Sequence, residues 1–282
     1  MKPFVIVTDS TSDLLKSDVM LHKIEVVPLK VIVGEQEFVD GVDCNGQLIF
    51  QLVEKNGVLP KTSAASPADI EASFERIRAA GGNALFIGIS SELSATIQNA
   101  FIAKQAFEDM DIEIVDSRNL STGIGLLVMK AVDLAREGKT LKETADIIRK
   151  MADQVRTGFI IETLEYLYKG GRLSGMQHLF GSMLKIKPLV RVEQGKMLVA
   201  EKLRGSQRKV AETLIEQALA DKDRMDTARL FVTHAAAEEV AVDLKERLMK
   251  ELLVQEVIVT EAGSIISSHC GPGTVGIIYM IR

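Results

Sequence analysis

"VIVTDSTSD", residues 5–13, is a β-branched apolar run that stops abruptly in hydroxyls and carboxylates. The same transition occurs twice more, in "LFIGISSELS" (85–94) and "IEIVDSRNLSTGIG" (112–125). Further apolar runs stand at "GFII" (158–161), "RLFVT" (229–233), "VIV" (257–259) and "VGIIYMI" (275–281). Between these runs lie stretches of helical period at 67–80, 92–109, 121–137, 141–155, 206–220 and 237–252. Strand and helix in alternation predict an α/β fold with parallel strands and crossover helices. The clearest helix start is Ser66-Pro67, an N-cap serine followed by proline at the first helical position.

In an open parallel sheet the loops after the strands gather at one edge, where following helices present N–H groups and the positive end of their dipoles. The three hydroxyl-rich turns, with "KTSAASP" (61–67) as a fourth cluster, therefore converge on an anion site. Taken singly, Ser10, Thr11, Ser90 or Ser121 reads as an ordinary helix cap. Neither the G-x-G-x-x-G fingerprint nor a P-loop is present, so hydroxyls rather than bare backbone would hold a small anionic head, a carboxylate or a phosphate.

Composition narrows the class. The net charge of −5, with acidic and basic residues intermixed, lacks the basic stripe of a nucleic-acid binder. No apolar run reaches the roughly 18–20 residues of a membrane span. The start "MKPFVIVTDS" lacks the long apolar core and cleavage site of a signal peptide, which with reduced thiols implies the cytoplasm. Cys44 and Cys270 are the two cysteines, too few for a thiol zinc site, and no metal or cofactor is implied.

A change in character between 163 and 205, rich in Gly, Lys and Arg, sets an expected boundary near 160. The expectation is an N-terminal lobe, 1–160, with a parallel sheet covered by helices on both faces, and a smaller mixed α/β lobe, 161–282. "LKIKPLVRVEQGKMLVAEKLRG" reads as a strand pair turning at Glu193-Gln194-Gly195. In "SHCGPGTVG" (267–275), Gly271-Pro272-Gly273 forms a rigid turn expected to pin His269. Cys270, next to it, should point the opposite way on an extended chain and receives no chemistry. His22, His178 and His234 read as surface or packing residues.

"VTDSTSDL", "KTSAASP", "ISSELSATIQNA", "VDSRNLSTGIG", "YLYKGGRLSG", "LKIKPLV" and "SHCGPGTVG" occur in the order and approximate spacing of the DegV family of bacterial fatty-acid-binding proteins. The chain resembles that family over its whole length. The resemblance implies a two-lobed protein enclosing a long-chain fatty acid, which it presents to a separate fatty acid kinase subunit for conversion to acyl phosphate in phospholipid synthesis. Contact with the membrane surface would be transient. Residue by residue, it implies Thr62, Ser63, Ser91 and His269 as carboxylate-binding groups, with a protonated or N–H-donating imidazole. It also implies Arg172 at the cavity mouth as an interaction residue; Ser121 is a secondary candidate. Ala95 and Ile97 stand where relatives often carry glycine and an aromatic, which puts close backbone approach and pocket shape in question. Eleven methionines against three tyrosines and no tryptophan suit a deformable acyl tunnel, though Met129, Met183 and Met197 are not sorted by sequence.

The competing reading is a hydrolase or transferase acting on an acyl or phosphate ester. Ser91, His269 and Asp116 can be drawn as its triad, but "GISSE" lacks the glycine that follows the serine of a nucleophile elbow.

Overall fold

The computed structural model describes residues 3–172 and 186–282; His178 and Met183 lie outside them. In chain order, β1 (Phe4–Asp9) leads through a 3-10 turn to α1 (Lys16–Leu21), β2 (Glu25–Val27), β3 (Lys30–Val33), β4 (Gln36–Val39), α2 (Gly46–Asn56) and β5 (Lys61–Ser63). Next come α3 (Pro67–Ala79), β6 (Asn83–Gly88), α4 (Thr96–Lys104), β7 (Ile112–Asp116), α5 (Thr122–Arg136) and α6 (Leu141–Met151). The remainder is β8 (Val155–Ile160), α7 (Glu165–Lys169), β9 (Lys187–Glu193), β10 (Lys196–Leu203), α8 (Gln207–Ala220), β11 (Leu230–Ala235), α9 (Glu238–Glu251), β12 (Val257–Glu261), α10 (Ser264–Cys270) and β13 (Thr274–Met280).

Among the described residues these strands make a parallel sheet in the order β2-β1-β6-β7, a small antiparallel sheet β4-β3-β5, and a six-stranded sheet β10-β9-β8-β13-β11-β12. In the last, only β11 and β12 run parallel; β13 is antiparallel to both β8 and β11. The run at 158–161, read as one more parallel strand, is thus antiparallel to both its neighbours. All six residues of β6 are buried, as expected of a strand covered on both faces.

Local chemistry starts the helices where it was expected to. Ser66 and Asp69 form a capping box ahead of α3, and Thr140 and Glu143 form another ahead of α6. The helix predicted over 92–109 is the exception. Residues 90–94 fold into a turn whose carbonyl at Ser90 accepts the N–H groups of Leu93 and Ser94, so α4 begins only at Thr96.

Helix α5 joins the two large sheets. Ten of its fifteen residues are buried, and it packs on β1 and β6 of one sheet and on β8, β11 and β13 of the other. The apolar core it organises runs from Ile6 and Leu85 to Phe159, Phe231 and Ile278. Helix α10 stands between β12 and β13 in sequence, yet it packs against α2, β3 and β5 of the N-terminal part. Two aspartates hold its start there. Asp13 accepts the N–H of Gly263 at 2.9 Å, and Asp40 accepts the N–H and hydroxyl of Ser264 at 2.8 and 2.5 Å.

Candidate functional site

A mainly apolar cavity opens where β5, the 89–94 turn, the start of α5, α7 and α10 meet, over one face of the six-stranded sheet. Its floor includes Phe159, Gly276 and Ile278; its polar lining comprises Thr62, Ser63, Ser94, Arg172 and His269 and, besides them, Ser121, Thr157, Thr233, His234 and Thr274. Of the residues expected from sequence, Thr62, Ser63, Ser121, Arg172 and His269 line this cavity. Ser91 does not. It is exposed, and its hydroxyl donates to Asp116 at 2.6 Å. Ser94, one turn further on, takes the position expected of Ser91, with its hydroxyl beside that of Thr96 at 2.9 Å.

Strand β5 presents Thr62, and the last turn of α10 presents His269, so that Thr62 Oγ1 and His269 Nε2 lie 2.8 Å apart. Burial, reinforced by the neighbouring Arg172 guanidinium, pushes the imidazole down to about 4, and the ring is neutral at physiological pH rather than protonated. Its Nδ1 is buried without a partner among the described residues. An orphaned N–H is the costlier of the two ring states, so we assign the hydrogen to Nε2. His269 then donates to Thr62, and the Thr62 hydroxyl keeps its own hydrogen for an anion.

The turn after His269 acts through close approach. Gly271, at φ +76°, lies where a Cβ would come within 2.8 Å of the Tyr166 ring, and Gly170 lies where a Cβ would collide with His269 Nδ1. These two glycines allow α7 to seat on the end of α10. Because His269 and Cys270 occupy a helical turn, they do not point to opposite sides; both line the cavity. Burial pushes the Cys270 thiol up to about 12, which leaves it without nucleophilic thiolate.

Arg172 follows the Gly170-Gly171 end of α7. Its guanidinium donates to the carbonyls of Gly170, at 2.6 Å, and Leu93, at 3.5 Å, and no carboxylate pairs with it among the described residues. Ser121 is buried and left-handed at φ +52°, and its hydroxyl donates to Asp13 at 2.5 Å instead of capping α5. Ser90 likewise caps nothing; its hydroxyl donates to the carbonyl of Gly195 at 2.9 Å. Ala95 is exposed at φ −75°, a conformation that does not require glycine, and Ile97 is buried in the core and is not among the lining residues of the cavity. Met197 is the one methionine among the described lining residues, and leucine, isoleucine and threonine are the commonest of them, while Met129 belongs to the core.

A family model described as "Uncharacterised protein, DegV family" matches residues 3–282. The chain belongs to the DegV family. A DegV domain-containing protein of Caldanaerobacter subterraneus is 31% identical over 279 residues, covering 99% of each chain. A solved structure described as showing fatty acid binding by a DegV family protein from Thermus thermophilus superposes with a TM-score of 0.93, at 30% identity and 100% coverage of both chains. DegV of Bacillus subtilis, described as a fatty acid binding protein, superposes with a TM-score of 0.87, at 26% identity and again full coverage. The DegV fold thus accounts for the parallel sheet and the second, mixed sheet. No helix among the described residues is long and apolar enough to cross a membrane.

Proposed function

We propose that this protein binds a long-chain fatty acid and presents its carboxylate to a separate kinase, which converts it to acyl phosphate. The observation that carries this reading is Arg172, a guanidinium without a carboxylate partner among the described residues, in a mainly apolar cavity that hydroxyl donors also line. A carboxylate there would accept from Thr62, Ser63 and Ser94, with His269 orienting Thr62, and its alkyl chain would lie along Phe159, Met197 and Ile278. Charge-assisted hydrogen bonds of this kind are roughly twice as strong as neutral ones. Such a carrier works in the cytoplasm, loads at the membrane surface by transient contact, and needs no catalytic base of its own.

The geometry disfavours the ester-cleaving alternative. Ser91 is bonded to Asp116 and His269 to Thr62, so serine, base and acid do not form a relay. Protein purified from cells and opened by mild denaturing extraction should release a long-chain acid detectable by mass spectrometry. The isolated protein should not hydrolyse acyl esters, and acyl phosphate should form only when a fatty acid kinase subunit and ATP are added. Ester turnover abolished by Ser91→Ala would overturn the reading.

A further inference from the structure

Ser90 is fully buried, and every hydrogen-bonding group it carries is in use. Its N–H donates to Asn119 O at 2.9 Å, and its carbonyl accepts from Leu93 N at 2.9 Å and Ser94 N at 3.1 Å. Its hydroxyl accepts from Glu92 N at 3.3 Å and donates to Gly195 O at 2.9 Å. One residue therefore holds both the turn that carries Ser94 and the tip of the hairpin formed by β9 and β10. We propose that Ser90 is a positioning residue that couples the two, so that the anion site is formed when the hairpin tip is seated and loosens when it lifts.

The hairpin is built for such dependence. Among the described residues strand β10 is the edge of the six-stranded sheet and pairs only with β9, so the tip draws little support from its own sheet. The tip is a tight turn, with Gln194 at φ +50° and Gly195 at φ +82°, and Met197 just beyond it lines the cavity. Its seat leaves no spare room: a Cβ on Gly195 would stand 2.5 Å from Ser90 Oγ and 3.0 Å from the Arg118 guanidinium carbon. Arg118 donates to Gln194 O, and Glu92 pairs with Lys196 at 3.4 Å and with Arg118 at 3.6 Å. The fastening is thus a small network, in which each bond supports its neighbours.

The consequence for ligand exchange rests on the fatty-acid reading, but the coupling can be measured without ligand. In ligand-free protein, Gly195→Ala crowds the seat of the tip against Ser90, and Arg118→Met removes the bond to Gln194 O together with the pairing of Arg118 with Glu92 and Asp116. Amide hydrogen exchange at Leu93 and Ser94 should nevertheless accelerate at least about tenfold in both, the equivalent of one lost hydrogen bond. Glu201→Ala, in the body of the hairpin, should leave these amides unchanged. In the wild type, oleate should slow exchange across 194–197. Faster exchange at the tip alone, with Leu93 and Ser94 unaffected in both variants, would overturn the coupling. A wild type that neither retains oleate nor responds to it would refute the fatty-acid reading, while the ligand-free comparison would still decide the coupling.

Discussion

At the scale of single residues, two serines three positions apart have opposite environments. Ser94→Ala and Thr62→Val should each weaken oleate retention by the roughly 1.5–3 kcal/mol of a hydrogen bond to a charged group. Ser91→Ala should leave retention unchanged, and displacement by a fluorescent fatty acid would show the difference. Composition and periodicity could not separate Ser91 from Ser94, because a carbonyl at Ser90 turns the chain between them. That Thr62 and His269 lie at the cavity was legible because their motifs were distinctive; the proton positions were not, since they follow from burial. Burial also raises the Asp13 carboxyl to about 8, against the hydrogen bonds from Ser121 and Gly263. Between an ordinary carboxylate value and 8 the folded state holds a proton that the unfolded chain releases, so this term makes stability fall as pH rises. His269, lowered to about 4, acts oppositely below about 6.5, as unfolding then takes up a proton. Asp9 and Asp40, which burial also raises, act in the same direction, and Asp13 should contribute about 2 kcal/mol of the fall between pH 6.5 and 8. Asp13→Asn should flatten that slope in melting temperatures measured across the range.

At the scale of elements, what was legible was where strands and helices begin, since caps and β-branched runs are local. Which strand pairs with which was not. β8 and β13 have the composition of parallel strands yet lie antiparallel, because burial on both faces, not direction, selects their residues. The docking of α10 was equally hidden, for it depends on Asp13 and Asp40 more than 200 residues away in sequence. Gly170→Ala places a methyl group against His269 Nδ1 and should displace the ring from Thr62. The oleate-induced gain in melting temperature should shrink in this variant as it does in His269→Ala. A gain equal to that of the wild type would show that His269 does not orient the anion site. Asp40→Ala strips the start of α10 of an acceptor and should lower stability by about 1–3 kcal/mol in urea unfolding, with the m-value unchanged.

At the scale of the whole molecule, the α/β class was readable from alternation alone, but the shared core was not, because α5 looks like any crossover helix until its two faces are seen. With that helix packed between both large sheets, the two should melt together. Scanning calorimetry should show one transition with a calorimetric to van 't Hoff enthalpy ratio of about one. Two resolved peaks would mean that the sheets are energetically independent. The six-stranded sheet has a further consequence, in the order of synthesis. One of its two central strands, β13, is the last of its six to leave the ribosome. Until then β8, β9 and β10 on one side and β11 and β12 on the other have nothing between them, and both inner edges stand open to foreign strands. The nascent chain thus completes the wall of its cavity only once β13 has emerged, a point at which a chaperone that shields open strand edges would raise the yield of folded protein most.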